Sequence, residues 1–137
     1  MLAEASLMDN RRLRTLLDKA ADSVKGRSGC WRVHFEGRRM LVVTDEECDR
    51  FRVMSPVTED IGLDALDMQV LMAANFDRTL DARYAINGGY LWAIFLHPLG
   101  DLTEKLLVAA LEQVKNLADN FGRSYASSDL KFTGGRV

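Results

Sequence analysis

Between Tyr90 and Leu96 seven apolar residues run without a break, and Asn87-Gly88-Gly89 stands immediately before them. The run is far short of the ~20 residues that cross a bilayer, and it has the length of a strand. Gly88 and Gly89 adopt positive φ at little cost, so Ala82–Asn87 and Tyr90–His97 are predicted to pair as a β-hairpin. Under either two-residue turn, Tyr84, Ile86, Leu91, Ala93 and Phe95 share one face. Tyr90, Trp92, Ile94 and Leu96 share the other. A strand that is apolar on both faces needs cover on both. Helices account for one side of a sheet, which leaves Trp92, Ile94 and Leu96 to the second helix of the chain or to a second copy of it. The second copy is the expectation adopted here.

The remaining elements follow from period and punctuation. Leu13, Leu16, Leu17, Ala20 and Val24 recur at helical spacing opposite Arg12, Asp18, Lys19 and Asp22, which predicts an amphipathic helix ending near Gly26. Trp31, Val33 and Phe35 then alternate with Arg32, His34 and Glu36, the period of a half-buried strand. A turn at Gly37-Arg38 leads into a second strand, Arg39–Thr44, with Phe35 opposite Met40 and Val33 opposite Val42. Asp45-Glu46-Glu47 marks another turn, and a third strand through Phe51 and Val53 is expected to end at Pro56, which cannot donate to a ladder.

Asp64 is placed to cap a helix running to about Phe76. Its Leu66, Met68, Val70, Leu71, Met72 and Ala73 cover more than one face, so it should be buried on two sides. Asp101 with Glu104 has the pattern of a capping box for the last helix. Leu107, Ala110, Leu111, Val114, Leu117, Ala118 and Phe121 form that helix's apolar stripe. Residues 123–137 show little periodicity and are expected to fray or to add a short edge segment at Leu130–Phe132. The expected fold is one α+β domain over residues 1–137, in the order α-β-β-β-α-β-β-α, with about five strands and three helices.

Function classes narrow in the same way. Eighteen basic and twenty acidic side chains leave a net charge of −2, so no bulk field draws nucleic acid or anionic membrane. Met1–Arg14 lacks the continuous apolar run of a secretory signal, and the expected protein is soluble and cytoplasmic, with Cys30 and Cys48 reduced. His34-Phe35-Glu36 spells the H-x-E of zinc deaminases but lacks the downstream pair of cysteines, and on a strand His34 and Glu36 would share the polar face. His97 beside Pro98 reads as a surface residue, and nothing brings either cysteine to a histidine. Gly88-Gly89 lies between strands rather than before a helix, so it cradles no phosphate. The expectation is a chain without catalytic residues, metal or other cofactor.

What remains is binding surface. The first hairpin places Arg32, His34, Leu41 and Val43 on the face opposite its core residues, with Arg52 and Met54 of the third strand extending it. Aliphatic area mixed with cations suits a protein or peptide client with acidic or carbonyl-rich character. Leu71, Met72, Tyr90, Trp92, Ile94 and Leu96 are the expected homodimer interface. The competing reading is a small-molecule-binding regulatory domain or small enzyme, with a pocket between the sheet and second helix.

The element order, with "VLMAANF", "ARYAINGGYLWAIFLHP" and "LTEKLLVAALEQVKNLADNF" over Val70 to about Ala126, resembles the class I chaperones of type III secretion, the Tir-chaperone-like superfamily. The resemblance implies a homodimer with a twisted antiparallel sheet and three helices, without catalytic residues or cofactor. It further implies that an extended segment of a secreted effector wraps around hydrophobic patches. A chaperone-like regulator of the same fold, outside any secretion apparatus, is the alternative within the resemblance.

Overall fold

A computed structural model describes residues 7–128. Its first helix, α1 (Asn10–Ala20), starts at Asp9, whose side chain accepts from the Arg12 amide. Leu13 and Leu17 are fully buried on its inner face. Four strands follow: β1 (Ser23–Arg27), β2 (Cys30–Phe35), β3 (Arg38–Asp45) and β4 (Arg50–Glu59). A 3-10 turn at Asp60–Gly62 leads to α2 (Ala65–Asp77), then to β5 (Arg83–Asn87), β6 (Tyr90–His97) and α3 (Glu104–Asp119). The strands make one antiparallel sheet in the order β1-β2-β3-β4-β6-β5. The α+β class, the three helices and the second hairpin are as expected. Asp64 caps α2 in a full capping box with Asp67.

Four local expectations give way. The helix stops at Ala20, and Val24 lies in β1, a sixth strand paired with β2. Val24 stands in phase with the helix, and β1's reason for existing is a partner strand ten residues away, which local period does not register. Its free edge is fixed in part by Arg14, whose Nη2 donates to the Val24 carbonyl over 3.3 Å. The first turn is Glu36-Gly37, both at positive φ (48° and 82°), so Phe35 faces Arg38 and Val33 faces Met40. This moves the register by two residues and leaves every side chain on its expected face. Glu36 therefore sits in the turn and no longer shares a strand face with His34.

Strand β4 continues through Pro56 to Glu59. Its ladder with β3 ends at the Leu41–Met54 pair, so the proline lies where β6 is its only strand neighbour. The register with β6 shifts between Pro56 and Thr58, where a missing N–H is tolerated. The α3 cap is Thr103, which accepts from the Leu106 amide over 3.1 Å, and not Asp101. The suggested edge segment at Leu130–Phe132 lies outside the described residues.

The core lies on one side of the sheet. Trp31, Val33, Phe35, Met40, Val42, Phe51, Val53, Leu91, Ala93 and Phe95 point inward and are buried. The α3 stripe closes over them, with Leu107, Ala110, Leu111, Val114 and Leu117 fully buried. At about 1.5–3 kcal/mol for each large side chain, this layer dominates the stability. Tyr84 ties three elements together. Its backbone N–H and C=O are both held by the Asn75 side chain of α2 (2.8 and 3.0 Å). Its hydroxyl donates to the Leu117 carbonyl of α3 over 2.7 Å.

Candidate functional site: the outer face of the sheet

Side chains alternate across a strand, so the residues between the core positions form a second face. The cross-strand pairs define its rungs. One runs Arg27–Cys30–Val43–Arg52–Leu96, and the next Lys25–Arg32–Leu41–Met54–Ile94–Arg83. A third carries Ser23–His34–Arg39, with Pro56–Trp92–Ala85 on the far strands. Read across the rungs, two lanes appear. Strands β3, β4 and β6 present Leu41, Val43, Met54, Ile94 and Leu96, an aliphatic lane. Strands β1 and β2 present Lys25, Arg27 and Arg32, a cationic one, with His34 beside them.

The structure thus brings together the six residues expected to meet a client, Arg32, His34, Leu41, Val43, Arg52 and Met54, on one face. It also sets Trp92, Ile94 and Leu96 on that same face, since Leu96 is the neighbour of Arg52 and Ile94 of Met54. The six client residues and the β6 members of the expected dimer set are thus one continuous surface. Leu96 is 54% exposed, whereas Trp92 and Ile94 are half-buried and Met54 is buried. Tyr90 stands at the β6 end of the face and packs edge-to-face on Trp92, whose Nε1 donates to the Asn87 carbonyl.

Helix α2 supplies only one of its two expected interface residues. Leu71 points into the chain's own core and is 3% exposed, so it offers no free surface. Met72 points away and is 68% exposed, with Leu66 and Phe76 near it on the helix at 67% and 90%. Phe76 lies one turn on from Met72, on the same side of a 3.6-residue helix, and Leu66 stands about 120° round from Met72.

A cavity of about 440 Å³ opens on the outer face where the lanes meet, between Lys25, Arg32 and Arg39 on one side and Leu41, Pro56 and Trp92 on the other. His34 also lines it, and its Nδ1 lies 3.4 Å from Ser23 Oγ. Lys25 and Arg39 were not among the residues expected from sequence. Lys25 lies on the unrecognised strand β1, and the alternation Ser23, Lys25, Arg27 was the available signal. Apart from this cavity, Arg38, on the helix-facing side of β3, reaches Asp119 of α3 over 2.7 Å, and Lys115 reaches the same carboxylate over 2.8 Å. Burial alone would raise the Asp119 carboxyl, but hydrogen bonds from Lys115 and Arg38, together with their charges, outweigh it and hold the group below its ordinary value.

Chemistry beyond binding finds little here. Among the described residues, no three His, Cys, Asp or Glu side chains gather to hold a metal ion. Cys30 and Cys48 are free and exposed, and His97 Nδ1 lies against the Pro98 carbonyl. No described helix is long and apolar enough to cross a membrane.

Among the described residues α1 and α3 pack on one face of the sheet and α2 lies along β5, and solved structures superpose on this fold. A chain from the HopA1–SchA chaperone–effector complex superposes with a TM-score of 0.62 over 82% of this chain and 94% of its own, at 14% identity. A chain from the ExsC–ExsE complex gives a TM-score of 0.62 over 82% and 92%, at 15% identity. The fold is type III secretion chaperone-like. It is the fold that the sequence resemblance implied. No family model and no curated protein matches the sequence itself. Among the described residues, α3 packs on the face of the sheet opposite to the lanes described above.

Proposed function

We propose that the chain is a non-catalytic, client-binding chaperone that works in the cytoplasm as a homodimer and holds an extended segment of a secreted effector or related protein on the outer face of its sheet. The observation that carries this reading is the aliphatic lane of Leu41, Val43, Met54, Ile94 and Leu96, which none of the chain's own helices is seen to close. Apolar side chains gathered on one sheet face and rimmed by polar groups, with Leu96 exposed among them, suit an interaction site. Likeness to a chain from a chaperone–effector complex supports the same class of partner.

The homodimer reading rests on α2. Met72 and Phe76 give it an exposed apolar stripe on the side away from Leu71 and Ala74, with Leu66 exposed further round the helix. A second copy burying this stripe leaves the sheet face open for the client. Sedimentation at micromolar concentration should then give twice the 15.4 kDa chain mass, and Phe76→Glu should give the monomer. A wild-type monomer at high concentration would remove the dimer from the reading.

The client reading is tested by affinity capture with the wild-type chain, with bound proteins identified by mass spectrometry. Capture is then repeated with Leu41→Asp and Val43→Asp. Both side chains are half-exposed on the outer face, so the variants should fold and keep their melting temperature. The client should be lost from both. Client retention by both folded variants would show that this face is not the binding site.

A further inference from the structure

Charge on the outer face is distributed in a way that folding alone does not explain. The ion pairs among the described residues engage Arg14, Lys19, Arg38, Arg78 and Lys115. Lys25, Arg27, Arg32, Arg39 and Arg52 have none, and all five are exposed. The chain has an excess of acids, twenty against eighteen bases, yet the acids on these outer lanes, Asp45 and Glu59, stand only at strand ends. Lys25 and Arg32 are directly opposite each other. Like charges in cross-strand pairs destabilise a sheet. The fold therefore tolerates a small repulsion on the very face that is left uncovered, beside an aliphatic lane one strand away.

We propose that this face selects its client by charge, taking an extended protein segment that is acidic along one side and apolar along the other. This rests on the client-binding reading above. In an extended segment successive side chains alternate, so one side of it can lie on Leu41 and Met54 while its neighbours turn toward Lys25, Arg32 and Arg39. The cavity of about 440 Å³ between the lanes is where both kinds of side chain meet the protein at once, with Trp92 and Pro56 as its apolar wall. Carboxylates supply what the five cations lack among the described residues, and the repulsion between Lys25 and Arg32 is relieved when one sits between them. The cations are solvated, so each contact is weak, and the selection comes from two or three acting together.

The test uses two fluorescein-labelled synthetic peptides, one alternating leucine with glutamate and one alternating leucine with lysine, titrated against the full chain by anisotropy. The glutamate peptide is expected to bind on the order of tenfold more tightly than the lysine peptide, and the difference should shrink as salt rises. Arg32→Glu with Arg39→Glu should abolish or invert the preference. Its melting temperature should equal or exceed that of the wild type, because an opposed like-charge pair is removed. Leu41→Asp should remove binding of both peptides. Equal affinities for the two peptides would overturn charge selection, while leaving the face as a client site if Leu41→Asp still abolishes binding. Displacement of the glutamate peptide by millimolar free glutamate would overturn it differently, by showing a small-anion site in the cavity.

Discussion

The hydroxyl of Tyr84 is one atom whose removal isolates a single buried hydrogen bond. The side chain is 5% exposed, and its hydroxyl donates to the Leu117 carbonyl over 2.7 Å. Leu117 lies in the last turn of α3, where carbonyls lack a partner within the helix. Phenylalanine in its place keeps the ring and its edge-to-face packing on Phe121 and Tyr125, with centroids 6.4 and 6.3 Å away. Apolar burial is thus unchanged. A lost neutral hydrogen bond costs about 1 kcal/mol, and a carbonyl left dry brings the range to about 1–3. We expect Tyr84→Phe to lose about 2 kcal/mol at pH 7, or roughly 6 °C in melting temperature for a domain of this size.

The same hydroxyl gives the prediction a second arm. Burial pushes the Tyr84 phenol well above its ordinary value, the neighbouring Tyr125 adds to the rise, and Arg78 opposes it. The folded chain therefore keeps a proton that the unfolded chain releases near pH 10. Wild-type stability must fall as pH rises beyond that point, whereas the phenylalanine variant has no such proton to lose. At pH 10.5 the gap between the two should narrow by roughly 0.8 kcal/mol. Urea unfolding at pH 7 and pH 10.5, followed by the fluorescence of buried Trp31, measures both arms. A loss below about 0.5 kcal/mol at pH 7 would mean that the Leu117 carbonyl finds another donor. A gap of constant size would refute the buried neutral phenol.

Three further substitutions probe the frame around the face. Asp119→Asn should cost at most about 1 kcal/mol at pH 7, because the carboxylate is 41% exposed and water screens its pairs with Arg38 and Lys115. Its carboxyl is held below the ordinary value, so the wild-type advantage should persist at neutral pH and vanish as pH falls below about 4; a pH-independent gap in thermal melts would refute this. Gly26→Ala should lose roughly 2 kcal/mol or more, since φ is +125° and the added Cβ would stand 2.4 Å from the Cys30 carbonyl oxygen. Gly37→Ala, at φ +82° with nothing within 4 Å, should cost only about 1 kcal/mol, and equal losses in chemical denaturation would refute the contrast.

What the sequence could disclose depended on whether the cause was local. The hairpin at Gly88-Gly89, the capping residue Asp64 and the α3 stripe each rest on a few adjacent residues, and each stands where expected. Strand β1 and the passage of β4 through Pro56 depend on a neighbour strand, so period and punctuation misplace them. The candidate site divides along the same line. The alternation of Arg32 and His34 against Trp31 and Val33 survives a two-residue error in register, because parity alone assigns a side chain to a face. Sheet order is not local, and it is what moves Trp92, Ile94 and Leu96 beside Met54 and Arg52. That move changes the functional argument. Two surfaces read separately, one for a client and one for a second copy, would each be small. As one face they join an aliphatic lane to a cationic one, and the proposed homodimer is then assigned to the exposed residues of α2. On the proposed reading a partner on the outer face would meet the demand that a both-sided apolar strand be covered, while Phe76 and Met72 make the same demand elsewhere.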